Sequence, residues 1–161
     1  EIIAALYEAS SCGVKIDLIV RGICCLRVGI PGVSENISVR SIVGNFLEHS
    51  RIFYFWNDGN TEVYMGSADW MPRNLDRRVE IVFPVLEDEL KEKAIHILQV
   101  ELEDNVKARV LQPDGEYEKV DKRGKVLVNS QEQFCREAEE AVPSVNPGGN
   151  QRIFVPAEPA E

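Results

Sequence analysis

The 161-residue sequence predicts an α/β domain followed by a short tail. Three observations carry this. Helical and strand periodicities alternate along the chain. The strand segments are rich in β-branched and aromatic residues. The composition, 44% hydrophobic and 28% charged, suits a globular chain long enough to bury one core. Nothing approaches the roughly 18 to 20 consecutive apolar residues of a membrane-spanning helix, and no basic segment followed by an apolar run marks a secretory leader.

Glu1 to Ser11 places apolar residues at helical spacing and stops at Gly13, a residue suited to the left-handed turn that ends helices. Because Glu1 already stands inside this periodicity, the chain is expected to be a piece of a longer protein. Lys15 to Val20 reads as a largely buried strand, and a helix followed by such a strand points to a βαβ-type sheet. From Arg21 to Ser34, Gly22, Gly29, Pro31 and Gly32 mark an irregular loop at that strand's carboxyl end, the place where open α/β sheets bind ligands. Ile37 to Val43, Arg51 to Trp56 and Glu62 to Gly66 read as three neighbouring strands, with Asp58-Gly59-Asn60 as the turn before the last. Arg78 to Val85 reads as a further strand, broken by Pro84. Glu87 to Glu103 is an amphipathic helix with acidic residues in its first turn. Val106 to Leu111 and Tyr117 to Val120 flank Pro113-Asp114-Gly115 as a small hairpin, and Gln131 to Ala141 is a short helix. Beyond Pro143 the periodicity ends, and that tail is expected to be mobile.

Four cysteines, Cys12, Cys24, Cys25 and Cys135, occur without C-x-x-C spacing or a histidine pair nearby, and are expected to be buried free thiols. No metal set is legible. The net charge of −9 argues against a general nucleic-acid binder, since such binding rests on neutralised phosphates. The charge is unevenly spread: through Glu80 bases and acids are near balance and seven of eight bases are arginine, whereas the acidic excess lies after Ile81. Guanidinium offers a rigid fork of donors matched to phosphate oxygens, so this bias hints at an anion site.

His49 is the sharpest single candidate, because an imidazole donates to phosphate oxygens and exchanges protons near neutral pH. Arg51, two residues on in an extended segment, faces the same side, so the pair can grip one anion. Asp69 and Asp76 stand among the arginines as carboxylates able to orient an imidazole or a guanidinium. His96, inside the amphipathic helix, reads as a surface or packing residue.

His49-Ser50-Arg51, Asp58 and Gly66-Ser67-Ala68-Asp69 are similar to the phospholipase D superfamily pattern of histidine-x-lysine, a downstream aspartate and a closing glycine-serine-x-asparagine. Arginine replaces the lysine, Asp58 lies two positions late and Asp69 replaces the asparagine, which weighs against His49 as a covalent nucleophile. A narrower family matches better. Val20 to Leu26, Ser34 to Ile37, Arg40 to Gly44, Phe46 to His49, Ser67 to Met71 and Asn74 to Glu80 resemble the C-terminal catalytic domain of bacterial polyphosphate kinases that use a phosphohistidine intermediate.

That resemblance implies a phospholipase D-like mixed β-sheet flanked by helices, with a C-terminal helix and a small hairpin. It implies a domain over residues 1–124, a helical segment over 125–142 and a tail over 143–161. It also implies phosphate-contacting roles for Arg21, His49 and Arg78, with His49 binding ATP phosphates and serving in proton transfer. Arg51, Asp69 and Asp76 are expected to support these three. The phosphorylated histidine, the groups that hold Mg2+ with ATP, and a base-stacking tyrosine belong to the preceding domain of the family. The implied partners are ATP or ADP, inorganic polyphosphate, other domains of the same polypeptide and a second copy in a homo-oligomer, without nucleic acid or a membrane-spanning segment. The implied location is cytoplasmic, with room for a peripheral place at the inner membrane. Two other readings stay open: a phospholipase D-type phosphodiesterase half-domain, and a non-catalytic scaffold or oligomerisation module working through its acidic helix and C-terminal elements.

Overall fold

The computed structural model describes residues 1–141, so the tail expected over 143–161 lies outside the described residues. The elements are helix α1 (Ile2–Ser11), strands β1 (Ile16–Ile19), β2 (Ile37–Ile42), β3 (Ile52–Phe55) and β4 (Glu62–Gly66), and helix α2 (Pro72–Arg77). Strand β5 (Val82–Pro84), helix α3 (Asp88–Glu103), strands β6 (Ala108–Leu111) and β7 (Tyr117–Lys119), and helix α4 (Ser130–Ala141) follow.

The strands form two sheets. One is mixed, in the order β1-β2-β6-β7, with β1 and β2 parallel and the remaining pairs antiparallel. Its core is Leu26, Val28, Ile37, Val39 and Leu111, covered by Ile3, Leu6 and Tyr7 of α1. The Tyr7 hydroxyl accepts the Arg27 N–H at 2.7 Å, which ties the irregular 21–34 loop to α1. The other sheet is antiparallel, in the order β3-β4-β5, and packs Val63, Val85, Ile52 and Met65 against Ala94 and Ile95 of α3.

Four expectations change here. The strands at 37–43, 51–56 and 62–66 are not neighbours in one sheet: both edges of β2 are taken, by β1 and by β6, so the β3–β4 hairpin starts a sheet of its own. The hairpin closes through a 3-10 turn at Asn57–Gly59, where Asn57, Asp58 and Gly59 adopt positive φ, one residue earlier than the predicted turn. The strand predicted from Arg78 is only Val82–Pro84, because Pro72 occupies the first turn of a six-residue helix that runs to Arg77. Pro84, lacking an N–H, ends a strand at the sheet's edge, where its missing donor is tolerated. Strand β1 is half-buried rather than largely buried, since as the edge of its sheet it is covered mainly by α1.

Two side chains lock the sheets to the helices. Arg40 on β2 sends Nη1 to the carbonyl oxygens of Glu101, Leu102 and Asp104, supplying donors to the C-terminal end of α3. Asp104, fully buried, accepts the N–H groups of Val106, Lys107 and Ala108 on one oxygen and the N–H and hydroxyl of Ser130 on the other, at 2.8 to 3.0 Å. Burial alone pushes its carboxyl up, but these donors hold it below the usual carboxylate range. Among the described residues no helix is long and apolar enough to cross a membrane.

Candidate functional site

The carboxyl end of β1 and the start of β3 meet at one exposed mouth, and Arg21, Glu48, His49, Arg51 and Asp69 come together there. Arg21 leaves β1 just where the ladder to β2 ends, with the Val20 N–H donating to the Arg40 carbonyl at 2.8 Å. Its Nη1 donates to the Glu48 carbonyl at 2.6 Å, and its Nη2 lies 3.5 Å from Asp69 Oδ2. Asp69 also takes Arg51, through Nε and Nη2, both at 3.0 Å from Oδ1. One carboxylate therefore holds two guanidiniums. The backbone at Asp69 is steadied by its neighbour Trp70, whose ring stacks on Phe53 of β3 with centroids 4.9 Å apart.

Arg51 is more a clamp for His49 than a free anion ligand. Its Nη1 donates to the His49 carbonyl at 2.7 Å and stands 2.9 Å from Nδ1 of the ring. The same nitrogen lies 3.4 Å from Nε2, so the guanidinium is set against the imidazole as a whole. The ring is exposed. His49 thus presents its imidazole at the mouth. Arg21 makes two of the five N–H contacts available to a guanidinium, leaving donors for a second anion.

A second group of contacts lies beside this mouth. Glu80 accepts the Ser67 hydroxyl and the Asn74 amide, the latter at 3.0 Å, and Ser67 Oγ accepts the Ile81 N–H at 3.1 Å. These hydrogen bonds, with the nearby charges of Arg78 and Arg51, hold the Glu80 carboxyl below its ordinary range. Arg78, in extended backbone at the end of α2, is exposed and makes no hydrogen bond or ion pair among the described residues. Its guanidinium is available to a ligand. Asp76 is exposed on α2 and takes no hydrogen bond or ion pair among the described residues, whereas Asp69 and Glu80 are both engaged by neighbouring donors. The role of Glu80 was not legible from spacing, because its partner Ser67 lies thirteen residues back across the sheet.

Helix α4 fastens the loop that carries His49. Gln131 donates to the Phe46 carbonyl at 2.8 Å and to Glu48 Oε1 at 2.6 Å, and its own carbonyl accepts the Phe46 N–H at 3.0 Å. Gly44 leaves the space this amide occupies; a Cβ there would clash with it. His96 is a surface residue as expected, paired with Glu137 at 2.9 Å and set edge-to-face against Phe134. The cysteines are free but not buried: Cys12, Cys25 and Cys135 are exposed and Cys24 is half-buried, because they fall at a helix end, in a loop and on the outer face of α4.

The carboxylates at the mouth do not fit a divalent cation. Asp69 is engaged by two arginines and Glu80 by Ser67 and Asn74, and no group of three or more His, Cys, Asp or Glu gathers among the described residues. The arrangement is instead one of Arg21 and His49 held at the mouth and of Arg78 exposed without a partner among the described residues.

Residues 1–131 match the family described as Polyphosphate kinase C-terminal domain 2. The chain is 53% identical over 160 residues to the polyphosphate kinase of Lactiplantibacillus plantarum, which covers 97% of this chain and 22% of that protein. It is 60% identical over 131 residues to that of Burkholderia ambifaria, covering 81% of this chain and 19% of the relative. The crystal structure of polyphosphate kinase from Porphyromonas gingivalis superposes with a TM-score of 0.81 at 42% identity, over 88% of this chain and 22% of that one. The chain spans about a fifth of the length of the curated relatives it matches. The α/β, phospholipase D-like architecture expected from the motifs is the fold shared with that structure. This chain belongs to the polyphosphate kinase C-terminal domain family.

Proposed function

We propose that this chain works as one domain of a longer ATP:polyphosphate phosphotransferase and supplies part of its phosphate-binding site. The convergence of Arg21 and His49 on one exposed mouth, each held by Asp69, Arg51 or the Glu48 carbonyl, is the observation that supports this most. The matched family and the names of the relatives point to the same substrates, ATP and polyphosphate.

In this reading the bond between Pγ and the β,γ-bridging oxygen of ATP breaks, ADP leaves, and the phosphoryl group joins a histidine nitrogen of the preceding domain. A terminal polyphosphate oxygen then attacks that phosphorus, the P–N bond breaks, and the chain grows by one unit; the reverse sequence regenerates ATP. Phosphoryl transfer needs positioning and charge neutralisation more than covalent help. Arg21 and Arg78 neutralise phosphate oxygens as charge develops. His49 donates a ring N–H to the transferring or leaving oxygen and exchanges its proton there. Arg51 and Asp69 hold these groups in place. The Mg2+ that accompanies ATP is held by groups outside this chain, and the same outlying domains complete the site in a homo-oligomer.

Titration of ATP or tripolyphosphate into the protein, followed at the His49 ring resonances, tests the site. The proposal expects saturable shifts of the His49 signals while those of His96 stay in place. Unmoved His49 signals at saturating ligand would contradict it.

A further inference from the structure

The chain between β2 and β3 has little of its own to hold it. Over residues 44–50 it makes no backbone-to-backbone hydrogen bond among the described residues, and Val43, Phe46 and Leu47 leave their side chains exposed. Side chains from other elements supply the missing partners. Gln131 does most of this: its side-chain carbonyl accepts the Phe46 N–H at 3.0 Å, and its amide nitrogen donates to the Phe46 carbonyl at 2.8 Å and to Glu48 Oε1 at 2.6 Å. A side-chain amide offers two N–H donors and one carbonyl, so both polar atoms of Gln131 are committed to this one segment. Arg21 then takes the Glu48 carbonyl, and Arg51 takes the carbonyl of His49.

Gln131 is itself fixed. It is 6% exposed and stands beside Ser130, whose N–H and hydroxyl both donate to the buried Asp104 at 2.8 Å. A run of contacts thus leads from the end of α3, through the start of α4, to the segment that carries His49. Gly44 faces the same amide. A Cβ there would meet Gln131 before anything else, and Gly44 has no positive φ that calls for glycine, so the residue is small because Gln131 fills the space. We propose that Gln131 is a positioning residue of the phosphate site: it sets the path of residues 46–48 and thereby the place of the His49 ring. This deepens the ATP and polyphosphate reading and rests on it. The start of α4 then belongs to the working site rather than to a separate C-terminal segment.

The test uses the full-length protein, with kcat/KM for ATP in polyphosphate synthesis and thermal unfolding measured for each variant. Gln131→Ala removes all three contacts. Gly44→Ala reaches the same end from the other side, because its methyl displaces the end of a flexible side chain and leaves the backbone in place. Each is expected to lower kcat/KM about tenfold, and the two together to lower it no further than Gln131→Ala alone. The decisive readout is the same pair of substitutions in a His49→Ala background. A residue that acts through His49 should there cost less than about twofold more, whereas a general loss of structure would add its full factor. If Gln131→Ala does not fold, Gly44→Ala decides the matter by the same comparison. A folded Gln131→Ala or Gly44→Ala with wild-type kcat/KM, or a loss that persists undiminished in the His49→Ala background, overturns the positioning role. Wild-type kcat/KM in His49→Ala alone overturns the phosphate reading itself.

Discussion

Arg51 reaches back two residues to place one nitrogen 2.9 Å from Nδ1 of His49 and 2.7 Å from the carbonyl oxygen of the same residue. The other side of its guanidinium lies on Asp69. The same nitrogen lies 3.4 Å from Nε2, so the guanidinium holds the imidazole in place against it. The contact also explains how one strand start carries both a site residue and its support.

In the full-length protein of the proposed reading, Arg51→Lys is expected to reduce polyphosphate synthesis by about tenfold to a hundredfold, although the positive charge is kept. A lysine ammonium is a point donor and cannot hold Asp69, the ring and the carbonyl at once. Steady-state kinetics with ATP as the varied substrate check this; a lysine variant with wild-type turnover would show that the fork geometry is irrelevant.

Asp104 is expected to matter for stability rather than chemistry. Asp104→Asn replaces a carboxylate that accepts five donors by an amide with one accepting oxygen, and should cost about 2 to 4 kcal/mol at neutral pH. Since the folded-state carboxyl lies below its ordinary range, its contribution is present above the unfolded value of about 3.9 and is lost as pH falls through the folded value. Denaturant unfolding of both proteins should therefore show a gap that closes on acidification below about pH 4. A gap independent of pH would contradict the assignment.

His96 supplies the internal control. Its pairing with Glu137 is an exposed contact between α3 and α4, and such pairs contribute little. His96→Ala should leave turnover within about twofold of wild type, whereas His49→Ala should not. Equal losses in the two variants would remove the distinction between the site histidine and the surface one.

Much of the fold is legible wherever the signal is local. The sixteen-residue amphipathic α3, the β3–β4 hairpin and the β6–β7 hairpin follow from periodicity and turn residues within a few positions of one another. The division into two sheets is not legible, because β2 pairs with β6 some seventy residues on, and nothing in the intervening residues announces that partner. Helix α2 is hidden for the opposite reason: six residues are too few for a period, and Pro72 alone marks its start. At the candidate site, His49, Arg21 and Arg51 stand out by residue type and lie at one mouth. Glu48 and Glu80 do not stand out, since each acquires its meaning from a partner on a different element.

The central claim is that Arg21 and His49 together meet the transferring phosphate. Polyphosphate synthesis measured for Arg21→Ala and His49→Ala in the full-length protein tests it most directly, with thermal unfolding run alongside to verify the fold. Each variant should melt near the wild-type temperature and lose about a hundredfold or more in turnover, the usual effect of removing a contact to developing charge. Turnover near wild type in both folded variants would contradict the account.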